Sequence, residues 1–227
     1  MELLTVIAII SILMALLLPV LGAAKNSARK AQAHTDCSGL VVACRAYYND
    51  YGVYPLTPNQ ANAGMSQNGG WDTCYGDPNP TYDNAYLCDI LRAVDETSIP
   101  GVTSQYQLNT RQVIYLEVNQ VHDSSNPKGG IYFAPANGSP AGTPSTPYSP
   151  HKILSGSYLD PWGMEYVVFL NSNYNGNLSN AMSWGFYAAP VPVINTGVAA
   201  CSLGMDQMWG TKGNGLFANS DDIATWQ

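Results

Sequence analysis

The sequence predicts an α+β fold in which one long N-terminal helix is followed by a head of short strands set among loops. Three observations carry that expectation. Residues Leu3 to Ala24 are almost wholly apolar. Directly behind them, Ala33, Cys37, Leu40, Val41, Cys44, Tyr47, Tyr48 and Tyr51 recur at three- and four-residue steps, the spacing of one buried helical face. Past Gly52 and Pro55, short β-branched and aromatic runs alternate with stretches rich in Asn, Gly, Pro and Asp.

The helix comes first in the chain and has two halves. Its apolar half is about as long as the roughly 20 residues needed to span a bilayer. Glu2 stands at the edge of that run, Pro19 interrupts it, and Lys25, Arg29 and Lys30 close it. A secretory signal peptide opens on basic residues and ends in a small-residue cleavage site, so Glu2 argues against one. A plain membrane anchor explains the length. It explains neither an acid at the border of hydrocarbon nor a proline that removes a helical hydrogen bond and favours a kink. The periodic half carries the helix on to Tyr51, giving about 70–75 Å at 1.5 Å per residue, and Gly52 and Pro55 stop it. Such a length is odd for a compact enzyme. Three regions follow: 1–24, the apolar helix; 25–55, its amphipathic continuation; and 56–227, the head.

Within the head, residues 56–112 read as loop-rich, with a short helix at Ala85 to Glu96. Strands are expected at Val113–Val118, Gly130–Ala134, Glu165–Leu170 and Ser183–Ala188. Asn137 to Pro150 reads as a surface loop and Asn171 to Asn177 as a hairpin-type turn. Asp160-Pro161-Trp162-Gly163 has the residue types of a type I turn, with Trp162 plugging the core.

Composition narrows the function. Charged residues are only 11% of the chain, against about 25% in a typical protein, so neutral polar groups must solvate the surface. From Ala46 onward five Lys/Arg face fourteen Asp/Glu, a balance of −9. That acidic body lacks the basic footprint of a nucleic-acid binder. None of the five cysteines forms a CxxC pair, so a zinc ribbon or dithiol redox motif has no support. Cys37 and Cys44 lie two helical turns apart, too far to bond. Cys74 and Cys88 flank a Gly/Pro/Asp-rich loop and are candidates for a disulfide in an oxidising compartment. His34, His122 and His151 are scattered, and no metalloprotease, nucleophile-elbow, P-loop or dinucleotide motif is present. No catalytic residue is expected.

The segment Glu2-Leu3-Leu4-Thr5-Val6-Ile7-Ala8-Ile9-Ile10 with Pro19 seventeen residues after Glu2 resembles the N-terminal helix of type IV pilins and type II secretion pseudopilins. Tyr47-Tyr48-Asn49-Asp50-Tyr51-Gly52-Val53-Tyr54-Pro55 resembles the helix exit of the major pseudopilins. Tyr158-Leu159-Asp160-Pro161-Trp162-Gly163-Met164-Glu165-Tyr166 resembles their turn and strand, and Ser202 to Trp226 their C-terminal loop. Residues 56–155 are much less covered. The resemblance implies a pilin fold, with the long helix packed on an antiparallel β-sheet and loop-rich insertions. It implies a structural subunit, not an enzyme, that polymerises helically with itself. It assigns Glu2 to the N-terminal amine of a neighbouring subunit and Pro19 to the bending of the helix. It places the chain in the inner membrane before assembly and in an extracellular fibre or periplasmic pseudopilus afterwards, handled by pilus or secretion machinery. In the family that Glu is the fifth mature residue, behind a methylated Phe and a cleaved leader. Here it is the second, so the first mature residues and the leader are expected to precede this sequence.

The same resemblance implies calcium in the C-terminal loop. Asp206, Asp221 and Asp222 match the family's acidic positions, with a carbonyl from Leu203, although Asp206 to Asp221 is a longer stretch than usual. Calcium takes six to eight oxygens from carboxylates and carbonyls. The other reading of these aspartates is that they cap the turn, with Asp222 as an N-cap. A rival from another class is a membrane-anchored extracytoplasmic binding protein or enzyme, which needs a convergent polar site.

Overall fold

The computed structural model describes residues 2–64, 72–76, 83–99, 101–134, 153–178, 194–210 and 220–226. The chain opens on α1, Glu2–Tyr51, a helix of 50 residues, and then forms an α+β head. Gly52 ends α1 as expected. Its φ of 71° lies in the left-handed region and its N–H donates to the Tyr48 carbonyl at 2.8 Å, the glycine stop common at helix C-termini.

After α1 come α2 (Pro58–Gly64), β1 (Thr73–Tyr75) and α3 (Asn84–Leu91). Then follow β2 (Gly130–Ile131), β3 (Tyr158–Leu159), β4 (Val167–Leu170), β5 (Val198–Ser202) and β6 (Ile223–Ala224). The main sheet has the order β1-β4-β5-β6, antiparallel throughout, with Cys74 opposite Phe169, Phe169 opposite Ala199 and Cys201 opposite Ala224. A second, two-stranded sheet pairs β2 with β3.

The second half of α1 lies against β5 and β6. Ala33, Cys37, Leu40, Val41, Cys44 and Tyr47 are buried there, joined by Val168, Leu170, Val198 and Ala200 from the sheet. Tyr48, expected on that stripe, is instead exposed and stacks on Tyr54. The alternate residues Val167, Phe169, Ala199 and Cys201 face the opposite side and pack with Leu203 and Trp209. The period-two geometry of a strand thus gives the sheet two apolar faces. Trp162 is buried in the α1-side core, as predicted.

Several sequence expectations are corrected. The helix expected at Ala85–Glu96 ends at Leu91, and a separate 3₁₀ turn covers Glu96–Ser98. Between them Ala93 takes a positive φ of 53°, which a continuous helix excludes. Val113–Val118 forms no strand, because Tyr115 and Leu116 donate their N–H groups to the Leu91 carbonyl that ends α3. The strand expected at Gly130–Ala134 is confined to Gly130–Ile131. In the Glu165–Leu170 run the strand begins at Val167, and Glu165 makes an isolated bridge to Leu159. Asn171 to Asn177 does turn, the Tyr174 N–H reaching the Asn171 carbonyl. Ser183–Ala188 and Asn137 to Pro150 lie outside the described residues.

The cysteine pairing is corrected too. All five cysteines are buried and none is in a disulfide. Cys88 belongs to the core on the α1 side of the sheet and Cys74 to the core on the other side, so the sheet separates the two sulfurs.

Candidate functional site

Two features could carry function. The first is the apolar half of α1. Thirteen large apolar side chains between Leu3 and Leu21 are 48–76% exposed, and among the described side chains of α1 none before Ala33 is buried. The helix is long and apolar enough to cross a membrane. Glu2 is its first residue and Pro19 lies inside the exposed half. One helix therefore has two different surfaces, because its first half offers apolar groups on every side and its second only a stripe. Exposed apolar surface of this extent marks a segment that meets lipid or other protein.

The second feature is the loop after β5. Asp206, Asp221 and Asp222 each present a carboxylate oxygen within 4.8 Å of the others. The main chain builds this convergence. Gly204 has a φ of 70°, and a Cβ there would collide with the Asp221 carbonyl, so the loop closes on residue 221 because glycine stands at 204. One Asp221 oxygen then accepts the N–H groups of Met205, at 2.5 Å, and Asp206, at 3.0 Å. Asp206 accepts from the Met208 N–H at 2.9 Å, and Asp222 accepts from the Gly210 N–H at 2.6 Å with one oxygen.

Both readings of these aspartates find something here. Asp221 caps main-chain amides. Asp222, however, precedes β6 and caps no helix. It is buried at 6% exposure, and among the described residues its other carboxylate oxygen has no hydrogen-bond partner. Burial raises its pKa to about 7, the amide of Gly210 and the hydroxyl of Ser220 opposing. Asp206 is raised as well, by burial and then by the charge of Asp221. A buried, orphaned carboxylate oxygen is costly unless something satisfies it. The donor set is all oxygen, with no thiol or imidazole, and so suits a hard divalent cation. Leu203 has its side chain in the core, so only its main chain could contribute.

The turn beneath this loop was legible only as a turn. Asp160 is fully buried, and one of its oxygens accepts the N–H groups of Trp162, Gly163 and Met164 at 2.8–2.9 Å. Its other oxygen accepts the Ser202 hydroxyl at 2.6 Å. The Gly163 N–H also reaches the Asp160 carbonyl, closing the expected four-residue turn. Ser202 passes the link on by accepting from the Gly204 N–H, and Gln207 reaches the Trp162 carbonyl. Asp160 is thus a hub that fixes the start of the acidic loop. Sequence reasoning also missed a buried carboxyl pair. Asp83 caps α3 through the Ala85 N–H and accepts from Ser157, with Glu165 beside it.

No family model matches the chain, and no curated protein and no solved structure matches it. Function therefore rests on the residues and their arrangement.

Proposed function

We propose that the chain is a structural subunit of a type IV pilus-like filament, a pilin or pseudopilin that polymerises through its N-terminal helix and carries out no chemistry. The observation behind this reading is the division of α1. Its second half is built into the head, while its first half exposes thirteen large apolar side chains. Copies packed side by side would cover those groups, each buried Leu or Ile contributing about 1.5–3 kcal/mol. The pilin-like order of Glu2, apolar run and Pro19 agrees, as does the packing of α1 on an antiparallel sheet. In this reading the helix rests in the inner membrane before assembly, and Glu2 gains a partner when it enters the filament. Shearing intact cells, imaging the released material and identifying its subunit by mass spectrometry tests it. Long fibres of this chain are the expected result. Retention in the envelope as a lone anchored protein would refute it.

The acidic loop is proposed to hold a calcium ion through Asp206, Asp221, Asp222 and the main chain at Leu203. The ion would stabilise the head by mass action, about 2.7 kcal/mol at a hundredfold excess over its Kd. Chelator is expected to lower the Tm, added calcium to restore it, and Asp222→Asn to abolish the response. A melt that is the same in chelator and in calcium would remove the site.

A further inference from the structure

The interior of α1 and the loops beside it border a polar recess of about 420 Å³, lined among others by Gln32, Asp36, Glu117, Asn119 and Tyr158. Two glycines keep it open. A Cβ at 129 would crowd the Gln32 amide, and one at 130 would strike the main chain of residues 119–121. Both charged residues that line it are acids. Asp36 is held in place by the hydroxyls of Tyr166, at 2.7 Å, and Tyr158. Glu117 is exposed and makes no hydrogen bond or ion pair among the described residues.

Lys128, beside Gly129, runs along Gly163, and the other cations that could complement this recess are in the same chain but out of reach. Lys25, Arg29 and Lys30 form a collar on α1, with Lys25 exposed and the other two partly buried. They precede Asp36 by six to eleven residues, roughly 9–17 Å along the axis. Arg29 shares the helical face of Asp36, but helical side chains tilt toward the N-terminus, so it leans away. The chain up to Arg45 has four Lys/Arg against two acids, whereas the remainder carries −9. Each molecule therefore has a positive collar and a negative head, and its own collar does not fill the recess.

We infer that the recess between α1 and residues 117–130 receives the Lys25–Lys30 collar of a second copy of this chain, with Asp36 and Glu117 as its counter-charges. Parallel helices offset by roughly 9–17 Å bring the two together. Register between copies is then set by charge, and the apolar halves supply the adhesion. This inference rests on the filament reading. Its test mixes full-length chains of natural and heavy-nitrogen isotope composition in detergent and in membranes, treats them with a zero-length carbodiimide, and maps the linked peptides. Expected are mixed-isotope links from Glu117 or Asp36 to Lys25 or Lys30. Glu117→Lys, an exposed change that leaves the Asp36–tyrosine contacts intact, is expected to raise the concentration needed for association about tenfold. Lys25→Glu with Lys30→Glu in the same chain is expected to restore it. Assembly without these links, or unaffected by Glu117→Lys, overturns the pairing and leaves the filament reading standing. A chain that stays monomeric overturns both.

Discussion

Removal of residues 1–24 is expected to abolish filaments and leave the head folded. The argument is one of separable surfaces. Every large apolar side chain between Leu3 and Leu21 that the structure describes is exposed, whereas the first buried residue of α1 is Ala33. The head therefore loses no core contact when the segment is cut away. Assembly, by contrast, loses burial worth about 1.5–3 kcal/mol for each covered Leu or Ile, summed over many residues in each copy. No surface ion pair, at roughly 0–1 kcal/mol, can offset that. Electron microscopy should find no fibres of the 25–227 chain, and its circular dichroism melt should remain cooperative. Fibres of the truncated chain would end the proposal. A narrower version tests Glu2 alone. An ionisable group at the edge of hydrocarbon is costly unless paired, so Glu2→Ala should leave membrane insertion intact and block assembly. Replacing Leu3–Pro19 with an unrelated apolar helix separates filament from anchor, because an anchor tolerates the exchange.

How much of this was readable follows from where each signal lies. The long helix was legible, since its apolar run, three-four stripe and Gly52 stop are local patterns that each act through one element. The turn at Asp160 was legible for the same reason. β5 was not. Its sequence Val-Ala-Ala-Cys-Ser is buried on both faces, so it has no polar alternation, and its small residues have weak strand preference. Its existence depends on α1 packing against one face and Trp209 against the other, which no local window reveals. Val113–Val118 failed in the opposite way, because the amides of Tyr115 and Leu116 were taken by the Leu91 carbonyl of α3 and that of Val113 by Asn109. In the acidic loop the residue types were readable. What sequence could not supply was the closure at Gly204 that sets residues 206 and 221 together, or the burial that leaves one Asp222 oxygen without a partner among the described residues. The role of Asp160 as a buried hub likewise depends on Ser202, which is 42 residues away.

The buried acids of the head carry the other large effect, a stability that falls as pH rises. Asp160 is raised from the ordinary 3.8 to about 6, chiefly by burial and against the pull of its hydrogen bonds. Asp89 is raised to about 7, again by burial, with Ser98 and Arg92 opposing. Asp83 is raised by burial and then by the neighbouring carboxyl of Glu165. The sign follows from proton counting. Between 3.8 and its folded value, each of these groups keeps in the folded state a proton that the unfolded chain has released. Folding then takes up protons, so stability is greatest at the acid end of the window and declines as pH climbs through about 6 and 7. All three groups act in the same direction, so the declines reinforce one another. Melts of the 25–227 chain from pH 4 to pH 8.5 should show Tm dropping along that range. Asp83→Asn should flatten the slope, because an Asn oxygen can still cap the Ala85 N–H while the repulsion with Glu165 disappears. A Tm that rises with pH, or an Asp83→Asn profile as steep as the wild type, would mean that these carboxyls are ionised in the folded head and that their burial is offset by contacts other than those described.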